Sequence, residues 1–170
     1  LVSGPTSIKA PAGVKLVRVQ SARQMREAVF AAAEKASIVI KAAAVADYRP
    51  AARSAAKVKK GPQDDWHLEM EKNPDILAEL GKMEKDWLLV GFAAETEELI
   101  VNARKKLVEK NLDLIVANDV TSEDAGFDVD TNIVRLLYRG GREEELPVMT
   151  KLEVAHTLFD RLLEMKGEEA

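Results

Sequence analysis

The chain alternates between segments with helical periodicity and short apolar segments rich in β-branched residues. The helical segments are residues 22–35 and 96–109, and the strand-like segments are residues 37–40, 87–92 and 112–117. Only a few residues connect each segment to the next. Amphipathic helices that alternate with buried strands are typical of a parallel sheet covered by helices and joined by right-handed crossovers. The sequence therefore predicts a doubly wound α/β fold with a mainly parallel sheet.

The last third of the chain predicts an antiparallel hairpin followed by a helix. Two strand-like segments, residues 132–139 and 144–148, flank a Gly140-Gly141 turn, a pattern typical of a hairpin. We expect this hairpin at one edge of the sheet. Thr150 and Glu153 have the spacing of a capping box and predict the start of a final amphipathic helix. The residues predicted on its core-facing side are Leu152, Ala155, Phe159 and Leu162.

Residues 48–63 interrupt the alternation with a stretch that lacks periodicity. Proline, glycine and basic residues dominate this stretch, which predicts a long, mobile, basic loop. The alternating pattern at residues 66–71 predicts a strand with one exposed face. Asn73-Pro74 then provides an N-cap with proline at the first helical position, and predicts a short helix through Lys82.

The 170 residues have the usual size of one domain, so we expect residues 1–170 to form a single domain with a flap at about residues 48–63. The net charge of −4, from 25 basic and 29 acidic residues, does not favour nucleic acid or an anionic membrane as a partner. The sequence contains no cysteine, which excludes disulfides, thiolate metal ligands and cysteine nucleophiles from it. No apolar run approaches the roughly 20 residues that span a bilayer. These observations predict a soluble, cytoplasmic domain.

Three segments that follow predicted strands are the candidates for a ligand site: residues 42–47, 91–96 and 116–120. In an open α/β sheet, ligands bind beyond the carboxyl ends of the strands. The first segment contains four alanines and ends at Asp47. Small side chains let a flat ligand approach the backbone, and the carboxylate suits a ribose hydroxyl, a base amino group or a metal-bound water. The alternative is tight packing followed by a solvated acid.

Basic and aromatic side chains accompany these segments. Residues 57–60, Lys-Val-Lys-Lys, lie in the predicted flap, where they suit closure over a triphosphate or serve as solubilising surface. Phe92 suits stacking on a base or a place in the core. Lys106 and Lys110 are four residues apart on a predicted helix and therefore face the same way, toward phosphate or base or toward nearby acids.

Six blocks of the sequence together resemble one protein family. They occur in the order of that family and cover essentially the whole chain: Leu1–Thr6, Ala42–Pro50, Lys57–Lys60, Lys72–Leu77, Gly91–Thr96 and Lys110–Asp119. On these blocks the chain resembles phosphopantothenate-cysteine ligase, also called phosphopantothenoylcysteine synthetase. This ligase is the C-terminal domain of the bifunctional bacterial and archaeal protein of coenzyme A biosynthesis. The resemblance implies a Rossmann-like fold.

The resemblance also implies a reaction. The family uses CTP, with a divalent cation such as Mg²⁺ or Mn²⁺, to join 4'-phosphopantothenate to L-cysteine. The pantothenate carboxylate attacks the α-phosphorus of CTP, which releases pyrophosphate and leaves an acyl-cytidylate. The cysteine amine then displaces CMP. Such chemistry mainly requires positioned groups and neutralised charge.

By residue-wise analogy, the resemblance implies that Lys57 is the catalytic lysine of the flap. Asn118 and Asp119 are further candidates, for the base or for structure. No metal ligand is identified. The residues implied to bind CTP are Ala43, Asp47, Lys57, Phe92, Ala93, Ala94, Glu95, Lys106 and Lys110.

The resemblance further implies neighbours and partners. Family members begin this domain with a strand, a glycine-rich turn and the segment Ile-Ser-Asn-Arg-Ser-Ser-Gly, which supplies phosphate-binding amides and a catalytic asparagine. This sequence starts at Leu1 without that segment, and we expect the beginning of the domain to lie outside it. We also expect a homodimer formed through the C-terminal hairpin region. A fused or associated flavin-dependent phosphopantothenoylcysteine decarboxylase would hold FMN.

Two other functions stay open from the residues. A dinucleotide-binding oxidoreductase domain fits the predicted fold, although the sequence has no Gly-x-Gly-x-x-Gly and no Walker motif. The second open function is that of a non-catalytic fragment, which binds nucleotide or dimerises. His67 and His156 are isolated in the sequence and indicate surface or packing residues rather than a triad or zinc site.

Overall fold

The computed structural model describes residues 1–52, 54, 56, 67–95, 99–119 and 130–168, with the backbone alone at residues 95, 99, 119 and 168. The chain divides into two compact units. The first unit comprises Leu1–Ala31 and Ala43–Ile76, and the second comprises Ala32–Ala42 and Leu77–Ala170. A division into two compact units is compatible with one domain or with two, so the single domain stays a prediction.

The described helices and strands follow the predicted order closely. In chain order they are β1 (Val2–Ser3), β2 (Val17–Arg18), α1 (Ala22–Ala33), β3 (Ile38–Lys41), β4 (Tyr48–Pro50), β5 (Met70–Lys72), α2 (Ile76–Gly81), β6 (Leu88–Glu95), α3 (Leu99–Glu109), β7 (Leu114–Asp119), β8 (Thr131–Asn132), β9 (Val134–Tyr138), β10 (Glu143–Glu145), β11 (Met149–Thr150) and α4 (Lys151–Glu168).

The second unit is built on a five-stranded sheet with the order β10-β9-β7-β6-β3. Strands β3, β6 and β7 are parallel to one another, whereas β9 is antiparallel to β7 and β10 to β9. Short β8 and β11 pair separately in antiparallel fashion. The predicted α/β sheet with an added hairpin at its edge is therefore present.

One face of this sheet forms the main apolar core with α4. The even-numbered residues of β6, such as Leu88 and Val90, belong to this core, as do Val154, Leu158 and Leu162 of α4. Alternation along a strand sends successive side chains to opposite faces, so a single face collects the even-numbered residues. The other face is contacted by α3, which packs on β6 and β7.

The predicted inner side of α4 is partly wrong. Leu162 is buried as expected, but Leu152 and Phe159 are 68% and 52% exposed. The buried stripe runs instead through Val154 and Leu158. The helix carries apolar side chains around much of its circumference, and helical spacing alone does not decide which of two apolar stripes faces a core.

Both capping boxes are formed. The Ser21 amide donates to Gln24 Oε1 at 3.1 Å, and the Gln24 amide donates to Ser21 Oγ at 3.2 Å. At the start of α4, the Thr150 amide donates to Glu153 Oε2 at 2.8 Å and the Glu153 amide donates to Thr150 Oγ1 at 3.2 Å. Each reciprocal pair satisfies two helix-end donors, which explains why the two helices begin at these residues.

The first unit contains two small strand pairs and most of α1. Strands β1 and β2 are parallel, and β4 and β5 are antiparallel with Tyr48 opposite Lys72. The sequence predicted a loop where β4 lies, because local periodicity cannot detect a pairing partner that follows about twenty residues later. The strand predicted at residues 66–71 is limited to Met70–Lys72 in the described part of the chain. No helix among the described residues is long and apolar enough to cross a membrane.

Candidate functional site

The segment that follows β3 is exposed and has no strand partner of its own in the described structure. Ala43, Ala44, Ala46 and Asp47 are all exposed and lie between β3 and β4. Two of its carbonyls accept hydrogen bonds from Asn73, because the Asn73 amide donates to Asp47 O at 2.7 Å and Asn73 Nδ2 donates to Ala46 O at 2.8 Å. A residue 26 positions later therefore fixes this small-residue segment.

Arg49 fixes Asn73 in turn. Arg49 Nη1 donates to Asn73 Oδ1 at 2.9 Å and to Lys72 O at 2.6 Å. Arg49 Nη2 lies 2.7 Å from Glu71 Oε1, and the Arg49 side chain is only 23% exposed. The guanidinium thus contacts three consecutive residues of the chain and connects β4 to β5 and to the residue that follows β5.

A basic cleft of about 440 Å³ lies beside this network within the first unit. Its lining residues are Arg23, Arg26, Glu27, Arg49, Lys72, Asn73 and Pro74. Four cations against the Glu27 carboxylate favour anions in this cleft, although Glu71 Oε1 also contacts Arg23 at 3.2 Å and Arg49 at 2.7 Å. No pattern in the sequence predicted this cleft. The signal available was the spacing of Arg23 and Arg26, which places both on one side of α1.

In the second unit, the carboxyl ends of β6 and β7 lie side by side. Phe92 is opposite Val116 and Ala94 is opposite Asn118 in the parallel register. Phe92 is half-buried and packs against the apolar core, Ala93 is buried at 4% exposure, and Ala94 is exposed. The sequence predicts that this strand ends at Phe92, but β6 continues through residue 95. A half-exposed aromatic ring beside small residues suits contact with a flat ligand.

Asn118 carries a polar atom that needs explanation. Its Oδ1 is buried and has no hydrogen-bond partner among the residues that the structure describes. A buried carbonyl oxygen of this kind costs free energy unless a donor reaches it. At this strand end, the Asn118 side chain therefore offers an oxygen that can accept a hydrogen bond from a ligand.

Lys106 and Lys110 lie at the C-terminal end of α3. Both are half-buried, and the backbone amide of Lys110 donates to Lys106 O at 3.0 Å, which continues the last turn. Cations at this end of a helix interact favourably with its dipole. Their placement is thus explained locally, and their predicted contact with a nucleotide stays a prediction.

Several predicted residues cannot be placed. Lys57, Lys59 and Lys60 of the flap lie outside the described residues, as do the side chains of Glu95 and Asp119. Ala43 and Asp47 belong to the first unit, whereas Phe92, Ala93, Ala94, Lys106 and Lys110 belong to the second. Within the described ranges, no three His, Asp or Glu side chains gather as metal ligands, and His67 and His156 are exposed.

The sequence matches a family of known proteins along almost its whole length. The family described as "DNA/pantothenate metabolism flavoprotein C-terminal domain" matches residues 1–165. The Coenzyme A biosynthesis bifunctional protein CoaBC of Bacillus subtilis (strain 168) is 49% identical over 164 residues, covering 95% of this chain and 40% of that protein. The same-named protein of Vibrio vulnificus (strain YJ016) is 42% identical over 169 residues, covering 98% of this chain and 42% of that protein. The chain thus spans about two fifths of the length of these relatives.

Solved structures show the same fold. The crystal structure of the C-terminal domain of Coenzyme A biosynthesis bifunctional protein CoaBC has a TM-score of 0.80 and 41% identity, and covers 99% of this chain and 74% of that one. The crystal structure of the DNA/pantothenate metabolism flavoprotein from Streptococcus pneumoniae has a TM-score of 0.78 at 18% identity. The match covers 96% of this chain and 80% of that one. The second likeness supports the fold alone, and both confirm the Rossmann-like α/β class. The chain belongs to the family of DNA/pantothenate metabolism flavoprotein C-terminal domains, which confirms the family predicted from the sequence blocks.

Proposed function

We propose that this chain is the ligase domain of coenzyme A biosynthesis, which joins 4'-phosphopantothenate to L-cysteine with CTP through an acyl-cytidylate. The observation that carries the proposal is the similarity, along nearly the whole chain, to the C-terminal part of proteins named for coenzyme A biosynthesis. The finer steps rest on the resemblance of the sequence blocks. CTP, phosphopantothenate and cysteine are thus the proposed substrates.

The described residues suit the binding of a nucleotide. In the first unit, the exposed Ala43 leaves room for a flat group against the backbone. In the second unit, the exposed Ala94 does the same, and the half-exposed ring of Phe92 offers a face for stacking on a base. The exposed carboxylate of Asp47 suits hydroxyl or amino donors. Lys106 and Lys110 lie at the C-terminal end of α3, and their assignment to the triphosphate rests on the resemblance of the sequence blocks. Mg²⁺ would enter with the nucleotide, because it prefers phosphate oxygens and water.

The proposed reaction has two steps, and the protein acts in both by positioning and charge neutralisation. A carboxylate oxygen of phosphopantothenate forms a bond to the α-phosphorus of CTP, and the bond to pyrophosphate breaks. The cysteine amine then forms the amide bond at the acyl carbon while CMP leaves and the amine loses a proton. The carboxylate that attacks in the first step and the pyrophosphate and CMP that leave are all anionic, so lysines near the phosphates would neutralise their charge.

Calorimetric titration of the chain with CTP and with NADPH, each with Mg²⁺, tests the nucleotide class. We expect heat of binding for CTP and none for NADPH. Binding of NADPH without CTP would replace the ligase by a dinucleotide-binding oxidoreductase domain. A turnover assay with CTP, phosphopantothenate and cysteine, followed by pyrophosphate release, separates a catalytic domain from a fragment that only binds nucleotide or dimerises.

The flap lysine gives the sharpest test of the chemistry. In a form of the protein that turns over, we expect Lys57→Ala to lower kcat at least about 100-fold, as loss of a group that stabilises transition-state charge does, with an unchanged circular dichroism spectrum. The control is Lys9→Ala, which changes an exposed lysine outside the six sequence blocks and should keep full activity. Retained turnover in Lys57→Ala would contradict the assigned role.

A further inference from the structure

The sequence predicts Asn73 as the N-cap of a helix, but α2 begins at Ile76, and the Asn73 side chain contacts Ala46 and Arg49 instead. Its main-chain and side-chain nitrogens bind two consecutive carbonyls, those of Asp47 at 2.7 Å and Ala46 at 2.8 Å. These carbonyls belong to the segment that leads from β3 to β4. The segment has no strand partner of its own in the described structure, and these two hydrogen bonds hold the main chain of Ala46 and Asp47.

The orientation of the Asn73 amide is fixed by Arg49. Arg49 Nη1 donates to Asn73 Oδ1 at 2.9 Å, so the amide must turn its oxygen to the guanidinium and its Nδ2 to Ala46 O. The flipped amide would place two donors against each other and two oxygens against each other. Arg49 is itself held by Lys72 O at 2.6 Å and Glu71 Oε1 at 2.7 Å.

We propose that Asn73 and Arg49 are positioning residues that hold the main chain of Ala46 and Asp47, and thereby the Asp47 carboxylate, in the geometry that binds the nucleotide. The identity of this ligand as a nucleotide rests on the proposed function. Neither side chain needs to touch the ligand. The asparagine acts through the carbonyls it binds, and the arginine acts through the asparagine.

The test uses Asn73→Asp, a change that keeps the size and the acceptor for Arg49 but removes the donor to Ala46 O. We expect the Kd for CTP with Mg²⁺ to rise about fivefold to tenfold, which corresponds to one lost hydrogen bond. We also expect faster amide hydrogen exchange at residues 43–47, with unchanged exchange in the sheet of the second unit and a nearly unchanged Tm. A merely structural role would lower Tm and leave the CTP Kd as it was.

Two further variants keep the proposal falsifiable. Arg49→Lys retains the charge beside Glu71 but cannot hold Lys72 O and Asn73 Oδ1 together, and should raise the Kd less, by about twofold to fivefold. Glu71→Gln removes the carboxylate beside Arg49 but leaves the bonds of Arg49 to Lys72 O and Asn73 Oδ1, and should match the wild type.

The outcomes separate the two proposals. Wild-type affinity in Asn73→Asp, or unchanged exchange at residues 43–47, would overturn the positioning role. Failure of the unmodified chain to bind CTP would instead count against the proposed nucleotide, while the exchange measurement would still decide whether Asn73 holds the segment.

Discussion

The second unit buries a broad apolar layer between sheet and helices, whereas the first unit relies on hydrogen bonds and ion pairs around Arg49 and Asn73. Among the described residues, the buried apolar side chains of the first unit are Val19, Met25 and Ile76, and all the others belong to the second. Burial of apolar surface is the larger and less specific source of stability, while individual exposed polar contacts contribute little. We therefore expect the second unit to carry the stability and the first to set local geometry.

The largest expected effect is the loss of an apolar side chain from the core of the second unit. Leu136 is fully buried on β9 and belongs to the core with α4. Leu136→Ala should lower the free energy of unfolding by about 2–5 kcal/mol, measured by urea denaturation. The control is Leu152→Ala on the exposed side of α4, which should change the free energy by less than about 0.5 kcal/mol. Equal losses in both variants would contradict the observed orientation of α4.

The next effect concerns the close approach of β6 to its neighbours. A methyl group at Gly91 would lie 2.9 Å from Leu112 Cδ1 and 2.9 Å from Leu77 Cδ2. Gly91→Ala should therefore destabilise the protein by about 1–3 kcal/mol. Gly140→Ala is the matched control, because nothing lies within 4 Å of its methyl position. A neutral result at Gly91 would mean that the packing around β6 is looser than the structure indicates.

The contrast between the units also separates what the sequence could predict from what it could not. Periodicity located β6, β7, α3 and the edge hairpin because apolar patterns of period 2 and 3.6 arise directly from burial. Capping residues located the starts of α1 and α4. The bonds of Asn73 to Ala46 and Asp47 left no such signal, since they connect residues that lie 26 and 27 positions apart and satisfy backbone groups that every sequence has.

The candidate site was predictable only in part for the same reason. The alanine segment and Phe92 stood out because they follow predicted strands, and the fold places strand ends at an edge. The basic cleft combines residues from α1, β4 and β5, so it became visible only with the pairing of β4 and β5. The flap lysines and the nucleotide contacts stay predictions.

A smaller effect, visible in the pH dependence of stability, comes from the partly buried Glu144 carboxyl of the second unit. Arg161 binds Glu144 and holds the pKa of that carboxyl below its usual 4.5. Burial, followed by the Glu144 charge, raises the pKa of Tyr138 to about 12. Because the folded pKa of Glu144 is depressed, its contribution is present above pH 4.5 and is lost as the pH falls through the folded value.

Glu144→Gln tests this group. The stability difference from the wild type should be largest near neutral pH and should shrink as the pH falls below 4.5. The variant should also lower the pKa of Tyr138, measured by ultraviolet absorbance, because the Glu144 charge and its hydrogen bond both raise that pKa. A stability difference that does not depend on pH would show that the Glu144 charge contributes nothing to folding.

The smallest expected effect is the same isosteric change in the first unit. Glu71 contacts Arg23 at 3.2 Å and Arg49 at 2.7 Å but is 42% exposed. Glu71→Gln should therefore cost less than about 1 kcal/mol, and the difference from the wild type should vanish at high salt, because exposed ion pairs are weak and screened. Arg49 keeps its bonds to Lys72 O and Asn73 Oδ1, so amide exchange at residues 43–47 should stay close to that of the wild type. A loss as large as that of Leu136→Ala would break the contrast between the units and assign the stability of the first unit to a single carboxylate.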